Sequence, residues 1–428
     1  MTSVAKTPAW LEALRGRGQS RFAETGLPTQ RVEAWKYTGL NKLKLMGLTP
    51  NAPSPRPSPQ TGDGVSGAVP LIEGRAHRLT FVDGHFDDDQ SAIGELPEGV
   101  ILGSLSKLIQ RHSSIIEPLL GQIADLERRP MVALNSAWIE DGLVLIAPRG
   151  VVLDTPVEVT FVTTDAAGAV YPRHLVSVGD RAEAVLIERH IGGASGGFTD
   201  AVTEITLGGG ANLRHYVLHA ESAATIGIET VAATIGRESQ YRSFALTAGG
   251  GVVRREIEVA LSAPGAGCQV DGAYLVDGDR HADTTILMDH QAPHCSSRQT
   301  QKGVVDDRGH AVFQGKILVR PDAQKTDGYQ LSQTILLSPN AEIDVKPELE
   351  IYADDVKCSH GATSGKLDAD ALFFLRARGI PKGEARALLI EGFVGGAIDE
   401  IDHIAVRDAF KASAAHWLAE RISRKDAL

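Results

Sequence analysis

The chain has 428 residues, with 43 basic and 54 acidic side chains and a formal net charge of −11. That length accommodates two or three ordinary domains or one elongated β-architecture, and the acidic balance argues against nucleic acid or an anionic membrane as partner. The three cysteines, Cys268, Cys295 and Cys358, are widely spaced with no CxxC pair, the amino terminus lacks the apolar run of a signal peptide, and no stretch is apolar for long enough to span a bilayer. The sequence reads as a soluble cytoplasmic protein without a disulfide framework.

Residues 1–48 read as a helical segment: Trp10, Leu11 and Leu14 recur at helical spacing, and Trp35 and Tyr37 stand in RVEAWKYTGL ahead of a second apolar patch. Residues 49–70 carry Pro50, Pro53, Pro55, Pro57 and Pro59, a density that continues neither helix nor sheet and predicts a linker. Residues 71–142 read as mixed α/β. Here Leu105, Leu108, Ile109, Ile116, Leu119, Leu120 and Ile123 predict a helix from about Leu105 to Arg128, closed by Pro130.

From 143 to 366 the texture changes to short runs such as VEVTFVTT, EAVLIERHI, ANLRHYVLH and RREIEVAL, rich in β-branched residues and separated by Gly, Asp, Asn and Pro turns. About twenty such runs with hardly a helical window exclude a βαβ fold and leave a sandwich, a large barrel or a solenoid. The aromatic content of 5% suits stacked aliphatic ladders, which favours a β-helix, although no strict repeat consensus is visible.

Residues 367–428 return to helix. Asp368 is the predicted N-cap of DADALFFLRARG, Gly379 its stop, and Pro381 the first position of the next helix. In that helix Ala385, Leu388, Leu389, Gly392, Phe393 and Gly396 form a narrow stripe. A third helix is predicted from about Ile404 to Ile422. Three short amphipathic helices make a small core by themselves, so they pack on the β body or receive a partner.

Two constellations could carry chemistry. In DDVKCSHGAT, Cys358 and His360 share one face of an extended strand and could offer a thiolate and an imidazole to iron or zinc. Two ligands do not hold a metal tightly, and spacing alone favours a plainer reading, a packed cysteine beside a hydrogen-bonded histidine. The second constellation, His281, Asp283, His290, His294 and Cys295, matches no zinc spacing; it is the basis of an alternative reading as a stand-alone β-helix metalloprotein or metalloenzyme using His281, His290 and His294. GATSGKL, residues 361–367, lacks the glycine spacing and the Ser or Thr of a P-loop, and no GxGxxG or GxSxG motif appears. The chain is not expected to bind ATP through a standard loop.

Several segments together resemble the SufB/SufD family of the SUF iron-sulfur cluster assembly machinery: RVEAWKYTGL, LNSAWIEDGLVLIAPRGVVLDTPVEV, HADTTILMDHQAPHCSSRQTQKGVV, FQGKILVRPDAQKTDGYQLSQTILLS and, most specifically, PELEIYADDVKCSHGATSGKLDADALFFLRARGIPKGEARALLIEGF. SufB-type chains carry a cysteine in the strand before the CSH signature and a glutamate directly after its histidine. QLSQTILLS has no cysteine and Gly361 follows His360, so the resemblance is to the SufD branch.

The resemblance implies a right-handed parallel β-helix with helical N-terminal and C-terminal regions, in a scaffold subunit that is not itself an enzyme. It further implies pairing with SufB through the ends of the β-helix, and binding of the SufC ATPase through the C-terminal helices, where Ala385, Leu388, Leu389 and Phe393 are the expected contacts. A nascent iron-sulfur cluster or iron would be shared with SufB, with His360 as the ligand implied most strongly and Cys358 beside it. No tightly bound cofactor is expected in the isolated chain. Flavin association, and a homodimer when the chain is isolated, are left open.

Overall fold

The computed structural model describes residues 7–41, 43, 48–49, 69–164 and 168–426, with side chains described as far as 421. The proline-rich stretch read as a linker lies, over 50–68, outside the described residues.

Among the described residues, twenty strands run from His77 to Gly365 and build two sheets. Successive strands alternate between the sheets, and each pairs in parallel with the strand one turn further along the chain. His190 lies beside His219, and His281 beside His310, both 29 residues apart. The interval ranges from 26 residues, at Ile226 beside Val252, to 32, at His310 beside Glu342. The result is a parallel β-solenoid of about eight turns. Only its first strands pair antiparallel, His77–Val82 with His85–Phe86 and Ile101–Ser104 with Leu143–Ala147.

Period-two alternation places one set of side chains in the lumen. In Val252–Leu261, Val253, Ile257, Val259 and Leu261 are buried and continue an aliphatic ladder with Val231, Ile286, Phe313 and Ile317. Aliphatic stacking, expected from the low aromatic content, is therefore the core of the body, and each fully buried large side chain contributes about 1.5–3 kcal/mol.

Both outer faces are covered by helices. Ala369–Ala377, Lys382–Ile398 and Ile404–Asp426 form the carboxy-terminal layer, where Ile390, Val394, Phe410 and Leu418 pack on Tyr216, Phe244, Leu246 and Leu275. Asp368 caps the first of these helices by accepting from the N–H groups of Asp370 and Ala371 at 2.9 and 3.0 Å, as predicted, and Gly379 ends it at φ 86°. Pro381 is one residue earlier than expected, the N-cap rather than the first helical residue. On the opposite face, the helix Ala9–Thr25 crosses Pro130–Ala137 so closely that a Cβ on Gly18 would lie 2.5 Å from the Ala137 nitrogen.

The helix predicted from Leu105 to Arg128 does not form as one element. Two four-residue helices, Leu105–Leu108 and Ser113–Ile116, are followed by turns. Pro118 removes a donor and Gly121 adopts φ 77°, so the apolar residues reach the core from successive turns. Pro130 opens a helix at its first position instead of closing one. No described helix is long and apolar enough to cross a membrane.

Candidate functional site

The solenoid ends abruptly. Its last strands, Glu342–Ile351 in one sheet and Lys357–Gly365 in the other, each pair on one side only, with His310–Val319 and Asp327–Leu336. No residue of either terminal strand is buried, whereas the strands one turn earlier are mostly buried. Val345, Leu349, Val356 and Cys358 lean on the core from this end without completing it. A row of backbone N–H and C=O groups is thus left facing outward beside a half-covered apolar core. Pro347, in mid-strand, has no N–H to donate, and such a residue is tolerated at an edge.

Cys358 and His360 both lie on Lys357–Gly365, in register with Gly328 and Gln330 of the preceding turn. Because Gly328 and Gln330 face the lumen, the pair faces it too, at its mouth. His360 is exposed and Cys358 half-buried. The glycine is needed there: a Cβ on residue 328 would press within 3.3 Å of the Cys358 sulfur. Burial raises the Cys358 thiol above its ordinary pKa, the Asp327 charge adds to that, and a backbone N–H of Gly328 works against it. The isolated chain therefore offers a thiol rather than a ready thiolate. Behind His360 in the same column stand the buried Gln330 and Gln299. Gln330 Nε2 donates to the Gly315 carbonyl at 3.3 Å, while its Oε1 and both amide atoms of Gln299 have no hydrogen-bond partner.

The alternative site built on His281, His290 and His294 is not brought together. His281 and His290 begin and end one ten-residue strand, roughly 30 Å apart at strand rise, and His294 sits in the following turn at φ 60°. His290 Nε2 lies 2.9 Å from Ser297 Oγ and Cys295 donates to the Ala263 carbonyl at 3.3 Å, both satisfied by their own turns. His281 and Asp283 instead meet the segment RVEAWKYTGL: Thr38 Oγ1 is 2.8 Å from His281 Nε2 and bonds Asp283. Arg254, over the Trp35 ring at 4.0 Å, also pairs with Asp283 and donates to the Ala34 carbonyl at 2.7 Å. This clasp lines a cavity of about 320 Å3 that includes His281 and His310.

Among the expected partner contacts, Ala385 is fully buried, because the inward face of Lys382–Ile398 is Ala385, Ile390, Val394, Ala397 and Ile398. Leu389 and Phe393 are half-buried, Phe393 beneath the Lys302 ammonium at 5.6 Å. Leu388 is 49% exposed, and nearby Phe373 and Phe374, which the sequence reading did not single out, are 74% and 53% exposed.

Sequence reasoning also missed a buried polar cluster in mid-solenoid: His174, Glu188, His190, His215, His219, Glu221, Glu229 and Arg255. Its members come from five strands in both sheets, so no local spacing announces them; only the 29-residue interval between His190 and His219 carries a signal.

Two family descriptions match the chain. "SUF system FeS cluster assembly, SufBD core domain" matches residues 161–393, and "SufBD protein N-terminal region" matches 3–159. The chain belongs to the SufBD family. It is 32% identical over 391 residues to an iron-sulfur cluster assembly SufBD family protein of Synechocystis, covering 88% of this chain and 84% of that one. It is 30% identical over 381 residues to the iron-sulfur cluster assembly protein SufD of Escherichia coli, covering 87% and 85%. With SufD of Bacillus subtilis it shares 24% over 402 residues, covering 92% and 91%. The family is one of iron-sulfur cluster assembly, and within it this chain is SufD-like.

Proposed function

We propose that this chain is the SufD-type subunit of a SufB–SufC–SufD scaffold on which iron-sulfur clusters are built, with the uncapped end of the solenoid as its SufB-binding surface. The observation that carries the reading is the coincidence of the unfinished edge with the only motif that offers thiol and imidazole on one face, Cys358 and His360. A parallel solenoid accepts most readily another parallel solenoid, since backbone pairing and the apolar ladder continue across the junction. His360 then meets ligands of the partner, and together they hold iron or the edge of a nascent cluster, which is the scaffold's cargo. Cys358 lies against the same junction.

Adenosine triphosphate hydrolysis belongs in this reading to SufC, since the chain carries no P-loop motif. The C-terminal layer is its docking element. With Ala385 turned inward, the surface left for SufC centres on Leu388, Phe373 and Phe374, with Leu389 and Phe393 at its border. ATP-driven movement of SufC would pull on these helices, which rest directly on the solenoid.

The test is co-expression with SufB and SufC, purification of the complex, and iron and sulfide analysis after reconstitution, with wild type and His360→Ala. Loss of cluster with the complex intact is the expected result. Wild-type cluster content in His360→Ala would leave the subunit a purely architectural role. If a second copy of this chain takes the uncapped end instead, mixing with SufB leaves the homodimer unchanged in sedimentation.

A further inference from the structure

His190, His219 and Glu221 face the lumen in mid-solenoid, far along the ladder from His360. His190 and His219 occupy one column on the parallel strands Glu183–Gly192 and Asn212–Glu221, with ring centroids 4.6 Å apart at 17°. Glu221 follows on the same face two residues beyond His219. One ligand atom from each of the three lies within 4.8 Å of the others.

Each residue also keeps one buried atom without a hydrogen bond: His190 Nε2, His219 Nδ1 and Glu221 Oε2. The closest opposite groups are at ion-pair rather than hydrogen-bond distance, 3.5 Å from His219 Nδ1 to Glu221 and 3.7 Å from His190 Nε2 to Glu188. Buried polar atoms are rarely left unpaired, and three orphans converging on one point are rarer. One cation at that point satisfies all three.

The surroundings are arranged as a metal ligand requires. His219 Nε2 lies 3.2 Å from Glu229 Oε2, and Glu229 is in turn held by Arg255 Nε at 2.7 Å. A carboxylate on one imidazole nitrogen orients the ring and leaves the other nitrogen's lone pair free for a metal. The charged side chains around the point are Glu188, Glu221 and Glu229 against Arg255, an acidic excess that favours a cation. Glu221 ends its strand at a turn and is 9% exposed, three times the exposure of His219 at 3%, so an ion enters from the turn side. Two imidazoles and one carboxylate suit a borderline divalent ion better than Mg2+ or Cu+. Metal bonds of about 2.0–2.2 Å require the three atoms to close to roughly 3.4 Å, a rotamer adjustment rather than a backbone movement.

We propose that His190, His219 and Glu221 form a binding site for one divalent transition-metal ion of the Zn2+ and Fe2+ class inside the β-solenoid, separate from His360. The site leaves a coordination position for water or Glu188.

The experiment uses the full chain, stripped with chelator, loaded with Zn2+ or anaerobically with Fe2+, and desalted before metal analysis; Co2+ supplies visible absorption as a coordination signature. Wild type and His360→Ala should each retain about one equivalent, and Zn2+ should raise the melting temperature of both. Glu221→Gln and His190→Gln should lose the ion and the Co2+ bands. Glu229→Gln, which keeps all three ligands, should weaken binding about 10–100-fold. Wild type retaining under a tenth of an equivalent overturns the proposal, leaving a buried ion-pair cluster or a trapped water. Glu221→Gln binding as tightly as wild type overturns it as well, as does loss of the ion in His360→Ala. If neither ligand variant folds, the Zn2+ dependence of the wild-type melting temperature decides, and no shift refutes the site.

Discussion

Glu204 ties the N-terminal region to the solenoid, and replacing it with leucine should be among the most damaging single changes in the chain. Its carboxylate is 1% exposed and pairs with Arg173, which is fully buried, with Arg173 Nε donating at 2.8 Å. The same carboxylate accepts from the backbone N–H groups of Gly121, Gln122 and Ile123 at 2.8, 2.9 and 3.1 Å. After Glu204→Leu, Arg173 keeps only Asn135 Oδ1 at 3.2 Å and Ser136 Oγ at 3.4 Å as partners, neither of them charged. A buried charge stripped of its partner costs about 3–5 kcal/mol. The three N–H groups add less than their nominal ~1–3 kcal/mol each, because the turn at 121–123 is only half-buried and water can replace the carboxylate. The net expectation is about 4 kcal/mol, dominated by Arg173. Removing both charges, Arg173→Met with Glu204→Leu, should recover most of it, since an apolar pair of similar volume is often neutral at such a site. Urea unfolding followed by circular dichroism gives the global value, and limited trypsin cleavage near Arg128 and Arg129 reports local detachment. The reasoning is refuted if Glu204→Leu lies within 1 kcal/mol of wild type, or if the double variant is no more stable than the single.

Two further outcomes follow from other parts of the molecule. Burial lowers the His290 pKa from its ordinary 6.5 to about 4, with the Asp289 charge opposing. The folded state thus holds His290 neutral; its stability is whole above pH 6.5 and is lost as pH falls from there toward 4, by about 2 kcal/mol at pH 5. His290→Gln should make the loss between pH 7 and pH 5 smaller by that amount, and an unchanged pH profile in urea unfolding would count against the assignment. Phe373→Asp with Leu388→Asp should leave the melting temperature of the isolated chain unchanged, since both side chains are exposed, while abolishing co-purification with SufC. Retained SufC would move the docking surface away from these helices.

The fold was legible where a local rule carried it. Period-two runs bounded by turn residues announced the strands, and Asp368 and Gly379 marked helix ends because capping is decided within a few residues. The predicted helix from Leu105 to Arg128 failed for the converse reason: apolar spacing was right, but Pro118 and Gly121 broke the backbone locally, and short turns delivered the same side chains to the same core. The roughly 29-residue turn of the solenoid was not legible, because it is kept by inward burial and not by residue identity; Val231, Ile257 and Ile286 are interchangeable aliphatics to the eye and stacked rungs in space.

The same distinction governs the two sites. Cys358 and His360 are two residues apart, so their shared face could be read from the strand, whereas the missing neighbours that make the site incomplete appear only once the solenoid is seen to stop there. His190, His219 and Glu229 are spread over 39 residues, and nothing but register brings them together. A solenoid converts an interval of one turn into contact. Searching such chains for histidines and carboxylates repeated at the turn interval is therefore a physically grounded way to find buried sites that local motifs cannot show.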